Sequence, residues 1–408
     1  MSRPRPGSPS RRTARPRHGR RLLAEALEAR TLLSDLTVDL FTDENDGNLS
    51  PGDVSLREAI QWANSNPGPD RVLLQAGTYT LSLAGANEDA GATGDLDIAR
   101  DVDIIGAGRN ATIINANRLD RIFDLDGTTT AGALRVTITG MTLTGGLTPT
   151  RVANYATGND GGAIDVYRSS LFVTDCILRD NTTGPGAFSG NGGAIALTST
   201  GTLTVTNSVI TGNVTGDSQG SGFAGGGGGI YGNGANITII DSVISNNRTG
   251  IATGTSGPLT AGDGGGIDSE SGGPAASLTI TNSTISGNSA GNVASTGSWG
   301  EGGGISSGIG ITLVLDRATI TNNTATYQGG GASINGSNTQ ILNSTFAGNT
   351  AMRGNGGGGI YAQGTITLLS GTTISGNQAP NKLKGGGIFT FGAIETIVNS
   401  TFSGNVAS

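Results

Sequence analysis

One pattern constrains this chain more than any other. A run of the type Leu203-Thr-Val-Thr-Asn-Ser-Val-Ile-Thr-Gly-Asn213 returns to the end of the sequence. Each copy closes on an asparagine, at Asn181, Asn213, Asn247, Asn288, Asn323, Asn349, Asn377 and Asn405. The intervals between them are 32, 34, 41, 35, 26, 28 and 28 residues. Most copies open on paired glycines and an aliphatic residue: Ile164, Ile195, Ile230, Ile267, Ile305, Ile360 and Ile388, with Ala332 in a weaker copy. A repeat of this length signals a stack of small units, none of which can bury its apolar face alone.

Inside each copy Leu203 and Val205 alternate with Thr204 and Thr206, which is strand periodicity. No copy carries a helical apolar stripe. Stacking the copies produces columns. Leu178, Ile210, Ile244, Ile285, Ile320, Phe346, Ile374 and Phe402 form an inward apolar column. Cys176, Ser208, Ser242, Ser283, Ala318, Ser344, Thr372 and Ser400 form a column that admits only small residues. The closing asparagine usually follows Gly or Asn, residues that tolerate a left-handed backbone. Each coil therefore bends at a fixed corner, where asparagines can hydrogen-bond from coil to coil. Recurring strands, fixed corners and no helices predict an all-β parallel β-helix of about eleven coils, each rising roughly 4.8 Å. Propeller blades of about 40–50 residues do not fit the final 28-residue intervals.

Gly-Gly-Ala-Ile at 161–164 and 192–195, with Phe-x-x-Asn at 346–349 and 402–405, resembles the polymorphic outer-membrane protein repeats of chlamydial surface proteins. The likeness spans residues 160–405. It implies the pectin-lyase-like, right-handed β-helix class and a surface role.

Charge divides the chain. Residues 1–34 hold nine Arg and two Glu, leaving 15 Lys and Arg against 29 Asp and Glu in the remainder. An acidic body is unsuited to binding nucleic acid, which needs a positive face. Residues 1–20, which include the only histidine, His18, are expected to be disordered. Residues 20–34 form a short amphipathic helix candidate, too charged for a signal peptide core or a bilayer span. This stretch resembles the Leu-Glu-Pro-Arg-x-Leu-Leu segment of planctomycete surface and exported proteins. Leu27, Glu28, Arg30, Leu32 and Leu33 match, while Ala29 replaces the usual Pro.

Residues 35–69 are expected to cap the coil stack. Ser55-Leu-Arg-Glu58 is a capping box opening a helix whose apolar face holds Leu56, Ala59, Ile60 and Ala63, and which stops at Asn66-Pro67-Gly68. Residues 43–64 are similar to the Cys-Ser-Leu-Arg-Glu-Ala domain that precedes β-helices in secreted bacterial proteins, with Val54 in place of the signature Cys. That resemblance implies a cap over the first coil, which would otherwise be an unpaired edge. Asp43, Asn45, Asp46 and Asp53, with Asn48, are calcium candidates because oxygen-rich loops suit Ca²⁺. Their spacing departs from the EF-hand pattern, and a polar turn is the competing reading.

The β-helix is expected over 70–408. Gly, Ser and Thr insertions at 148–160, 214–226, 249–263 and 289–301 follow the closing asparagine of some coils, so they leave the rod at one corner. Such insertions often build a binding face. The chain stops three residues after Asn405, without barrel-like strands. It is therefore expected to be a fragment, or to have its last coil covered by a partner, including a second copy end to end.

Chemistry in the repeats is sparse. The lone Cys176 lies in the small-residue column and is expected to pack. Asp165 and Asp268 share a column three coils apart, so the carboxylates of the repeats are not expected to cluster. Asp175, Asn207, Asp241 and Asn282 are expected to form a structural ladder. Asp263, Asp268 and Glu270 are the densest acidic group and the catalytic candidates. No cofactor is expected. The composite expectation is a non-catalytic, secreted or surface-displayed scaffold or adhesin that contacts glycans. A polysaccharide lyase or glycoside hydrolase, needing paired carboxylates about 5–9.5 Å apart, is the alternative.

Overall fold

The structure, a computed structural model, describes Met1, 34–86, 88–127, 133–150, 159–219, 222–253, 261–272, 276–293, 300–381 and 383–408. The basic leader and much of the insertions at 148–160, 249–263 and 289–301 lie outside these residues. The body, from residue 33 to 408, is one compact unit.

Its described strands form three long sheets in which every pairing is parallel. Sheet I has twelve strands, from Ser34–Val38 to Ile397–Val398. Sheet II has eleven, from Gly77–Thr80 to Thr401–Ser403. Sheet III has ten, from Leu96–Ile98 to Ile388–Thr390. One rung passes through all three: Ile164–Tyr167 in sheet III, Ser170–Thr174 in sheet I and Ile177–Arg179 in sheet II. The next rung repeats this with Ile195–Thr198, Thr202–Thr206 and Val209–Thr211. The chain is a parallel β-helix.

Alternation fixes which side chains enter the core. Leu203, Val205 and Ile210 are fully buried, while the intervening threonines lie at the surface. The inward column from Leu178 to Ile374 is fully buried throughout. Two glycines in each opening motif serve different needs. Gly161 has φ +65°, a left-handed angle; a Cβ on Gly162 would lie 2.2 Å from the Gly193 carbonyl of the next rung.

The asparagine column is buried and continuous. Asn213 donates through Nδ2 to Asn247 Oδ1 at 3.0 Å, and its backbone N–H donates to the same oxygen at 2.9 Å. The same paired contact joins Asn181 to Asn213 and runs on to Asn377 and Asn405. Each Nδ2 also donates to a carbonyl of an adjoining rung, as Asn323 does to Ile285 at 2.9 Å. The small-residue column is a second ladder. Cys176 N–H donates to Ser208 Oγ at 3.0 Å, Ser208 N–H to Ser242 Oγ at 3.1 Å and Ser242 N–H to Ser283 Oγ at 3.1 Å. Size selects residues there, and so does the need for an acceptor.

The amino-terminal segment corrects one expected boundary. Ser34–Val38 pairs in register with Asp70–Leu74, so a strand from the segment assigned to the cap supplies the first strand of sheet I. The helix is Leu56–Ser65, with both hydrogen bonds of the Ser55–Glu58 capping box formed and Asn66 as C-cap. Its buried face holds Leu56, Ala59, Ile60 and Ala63. It packs on the first strands of sheets I and III, so this end of the core is covered.

Replacing Asn323 with Ala strips partners from the Asn288 N–H, the Ile285 carbonyl and the Asn349 carboxamide. We expect a loss of about 3 kcal/mol, since buried groups left unsatisfied cost about 1–3 kcal/mol each and the site relaxes in part. Urea unfolding checks this, with exposed Asn338→Ala as the near-neutral control.

Candidate functional site

The strands of sheet III place the chemistry. In Ile164–Tyr167, Ile164 and Val166 enter the core and Asp165 takes the opposite face. Register carries that outward position along the sheet: Asp97, Asp124, Asp165, Ala196, Tyr231, Asp268, Ser306, Ser333, Tyr361, Phe389. Successive members are one rung, about 4.8 Å, apart. Asp165 and Asp268 thus sit three rungs apart, as their column assignment requires.

The expectation that carboxylates would not cluster is wrong at two places. The first lies in the early rungs. Arg121 is buried, with Nε 3.0 Å from Asp95 Oδ2 and Nη1 3.2 Å from Asp124 Oδ2 and 3.0 Å from Asp165 Oδ2. Asp120 is buried beside it. Burial works against the Arg121 charge, but Asp124, Asp165, Asp95 and Asp120 more than offset it, and the guanidinium is held protonated. Burial pushes Asp95 up to about 8 despite Arg121, and pushes Asp97 and Asp165 up to about 7. Asp95, Asp97 and Asp124 offer one oxygen each within 4.8 Å of one another, close enough to share a cation. Arg121 already brings positive charge to that group. A sequence signal for it existed: Leu96-Asp-Ile98, Phe123-Asp-Leu125 and Ile164-Asp-Val166 are the same triplet.

The second cluster contains Asp263, Asp268 and Glu270 and adds Glu301, which sequence reasoning missed. Glu301 N–H donates to Asp263 Oδ1 at 2.7 Å. Gln328 and Ser333 donate to the Glu301 carboxylate at 2.7 and 2.8 Å. Tyr231 donates its hydroxyl to Glu270 Oε2 at 2.9 Å. Asp268 is 2% exposed. A Cβ on Gly226 would lie 2.1 Å from Asp268 Oδ2, so the glycine-rich segment closes over that carboxyl. None of the ion pairs formed among the described residues brings a cation to this group. Burial and the neighbouring Glu301 push Asp263 up to about 8. Burial, Glu270 and Asp263 hold Asp268 well above the ordinary carboxylate range. Burial also raises Glu301, against its Ser333 and Gln328 hydrogen bonds.

The calcium candidates disperse. Asp43 is committed to buried Arg57, whose Nε lies 2.8 Å from Asp43 Oδ1 and whose other nitrogens donate to the Gly91, Gly94 and Asp95 carbonyls. Asp43 Oδ2 also accepts from the Ser82 N–H at 2.7 Å. Asn45 donates to the Ala92 carbonyl, and Asp46 accepts from the Asn48 N–H. Asp53 pairs with the Asn48 carboxamide. Glu44, Asp46 and Glu58 form a tighter acidic group, but Glu58 Oε1 already accepts the Asp46 and Gly47 N–H groups.

Asp175, Asn207, Asp241 and Asn282 occupy left-handed corners, with φ of 51°, 48°, 51° and 48°. Asn207 Nδ2 donates to Asp175 Oδ1 at 3.3 Å. Cys176 is fully buried, and burial pushes its thiol up to about 11, which leaves it unreactive at neutral pH.

No protein-family model matches the chain, and no curated protein matches it. Solved structures share its coil architecture. The chain is similar to the A-module of mannuronan C-5 epimerase AlgE4 from Azotobacter vinelandii, at 16% identity over 86% of this chain and 90% of that one, TM-score 0.36. It is similar to pectate lyase Pel9A at 13% identity, over 89% and 79%, TM-score 0.40. It is similar to tailspike protein 3 of bacteriophage CBA120 at 11% identity, over 86% and 60%, TM-score 0.36. These are likenesses of fold.

The second cluster makes stability depend on pH. Asp263 is protonated in the folded chain and ionised in the unfolded chain between 3.8 and about 8, so its contribution falls as pH rises through that window. Asp263→Asn is expected to raise the unfolding midpoint at about pH 9 and to leave it nearly unchanged at about pH 4. Thermal melts at both pH values check this.

Proposed function

We propose that the protein is a non-catalytic β-helix scaffold, secreted or displayed at the cell surface, whose sheet III face contacts glycans. The observation that carries the proposal is the contrast along that face. Asp268 is sealed at 2% exposure beneath glycine-rich backbone, whereas neighbouring Glu270 is exposed and braced by the Tyr231 hydroxyl. Hydrolysis of a glycosidic bond needs an acid and a second carboxylate, both open to the sugar. Binding needs only exposed acceptors and aromatic edges held in register, which this face offers. The repeat motifs support the surface-display part of the reading through their likeness to polymorphic outer-membrane protein repeats. No helix among the described residues is long and apolar enough to cross a membrane.

A carbohydrate-cleaving role is the second reading. It draws on Asp263, which is a proton donor at neutral pH because burial pushes it up to about 8. One set of assays separates the two. The purified protein is titrated with pectins, alginates and sulfated glycans, and the products are assayed for new reducing ends and unsaturated sugars. The scaffold reading expects binding without turnover, and weaker binding by Glu270→Gln. Turnover abolished by Asp263→Asn or Asp268→Asn would establish the enzyme instead.

A further inference from the structure

The aromatic end of the sheet III column has no role in the core. Tyr361 and Phe389 stack with centroids 6.0 Å apart and planes within 8°. Phe391 stands edge-on to Phe389 at 5.1 Å and 89°. Tyr361 is 1% exposed, and its hydroxyl accepts from Gln363 Nε2 at 2.7 Å, so the ring beneath is fixed. Phe391 is 67% exposed. Its N–H donates to the Ala362 carbonyl at 2.9 Å, which holds the backbone that presents the ring. The equivalent turns one and two rungs earlier carry polar Gln363 and Asn335 in the same hydrogen-bonding role. A phenyl ring at that turn exposes apolar surface where its homologous positions do not, the usual mark of a contact surface.

A cation flanks the rings. Lys384 Nζ lies 5.9 Å from the Phe389 centroid. Its backbone is tied on both sides, N–H to the Asn355 carbonyl at 3.1 Å and C=O to the Gly357 N–H at 3.1 Å. The Lys384 side chain is exposed, and none of the ion pairs formed among the described residues includes it. In a chain of net charge −7, this places an uncommitted positive charge beside an aromatic platform.

We propose that Phe389, Phe391 and Lys384 form a subsite for an acidic pyranose, the rings taking the C–H face of the sugar and Lys384 its carboxylate. This rests on the glycan-contact reading and assigns it a place and a ligand class. Aromatic faces hold apolar ring surface, and an exposed ammonium selects charge and speeds encounter.

The test titrates the full chain with a glucuronic acid trimer and with the glucose trimer of the same linkage, followed by calorimetry. The acidic trimer is expected to bind. Phe391→Ala is expected to weaken it about tenfold, and Lys384→Gln several-fold, with unchanged melting temperatures, since both side chains are exposed. The glucose trimer binding as tightly as the acidic one would overturn the proposal. So would acidic-trimer binding that ignores Phe391→Ala. If Glu270→Gln abolishes glycan binding while Phe391→Ala does not, this subsite is wrong and the parent reading stands. If no glycan binds, both fail. Self-association abolished by Phe391→Ala would make the patch an interface between copies and would also overturn it.

Discussion

The carboxamide ladder at the corner after sheet II is the constraint on which the rest depends. Each buried asparagine oxygen takes two donors from the preceding rung, its backbone N–H and its Nδ2. Each Nδ2 also reaches a neighbouring carbonyl. A corner with these groups unpaired would be costly in a dry interior. The ladder therefore locks every rung to the next, and a slip of one residue would replace a buried asparagine by Gly, Ser or Thr. It also explains why rungs of 26 to 41 residues stack without losing register. The variable segments leave after the asparagine and return at the glycines, and lengthening a surface loop costs little entropy.

Fixed register determines where chemistry lies. Once Ile164, Ile195, Ile230 and Ile267 share one inward column, the residues that follow them must share one outward column. Carboxylates brought together this way are stabilised by two different means. In the early rungs Arg121 supplies a buried counter-charge to Asp95, Asp124 and Asp165. In the middle rungs Asp263 and Asp268 retain their protons, and hydroxyl and amide groups meet Glu270 and Glu301. The first arrangement resists pH change, and the second responds to it.

Much of the fold was legible because each repeat states it again. The alternation of Leu203 to Thr206, the buried aliphatic column and the corner asparagines could all be placed by stacking the copies. The capping box at Ser55 is a local device and equally legible. The early rungs were harder. Asp97 and Asp124 lie where no glycine pair or closing asparagine announces the register, so their convergence with Asp165 depends on pairing distant in sequence. Arg57 and Asp43 illustrate the same limit: an acidic loop looks like a cation site until the buried guanidinium that occupies it is known. Glu301 escaped notice because it joins Asp263 through its backbone, a contact with no signature in residue type. Ser34–Val38 was assigned to the cap because a single strand carries no repeat of its own.

Hydrogen exchange of the asparagine side-chain amides tests the central claim most directly. In NMR spectra of selectively ¹⁵N-asparagine-labelled protein, the carboxamides of Asn213, Asn247, Asn288, Asn323 and Asn349 should resist exchange as strongly as core backbone amides, while those of exposed Asn338 and Asn381 exchange at once. Uniformly rapid exchange of all carboxamides would mean that the rungs are not joined through their asparagines, and the coiled architecture with its outward column would have to be abandoned.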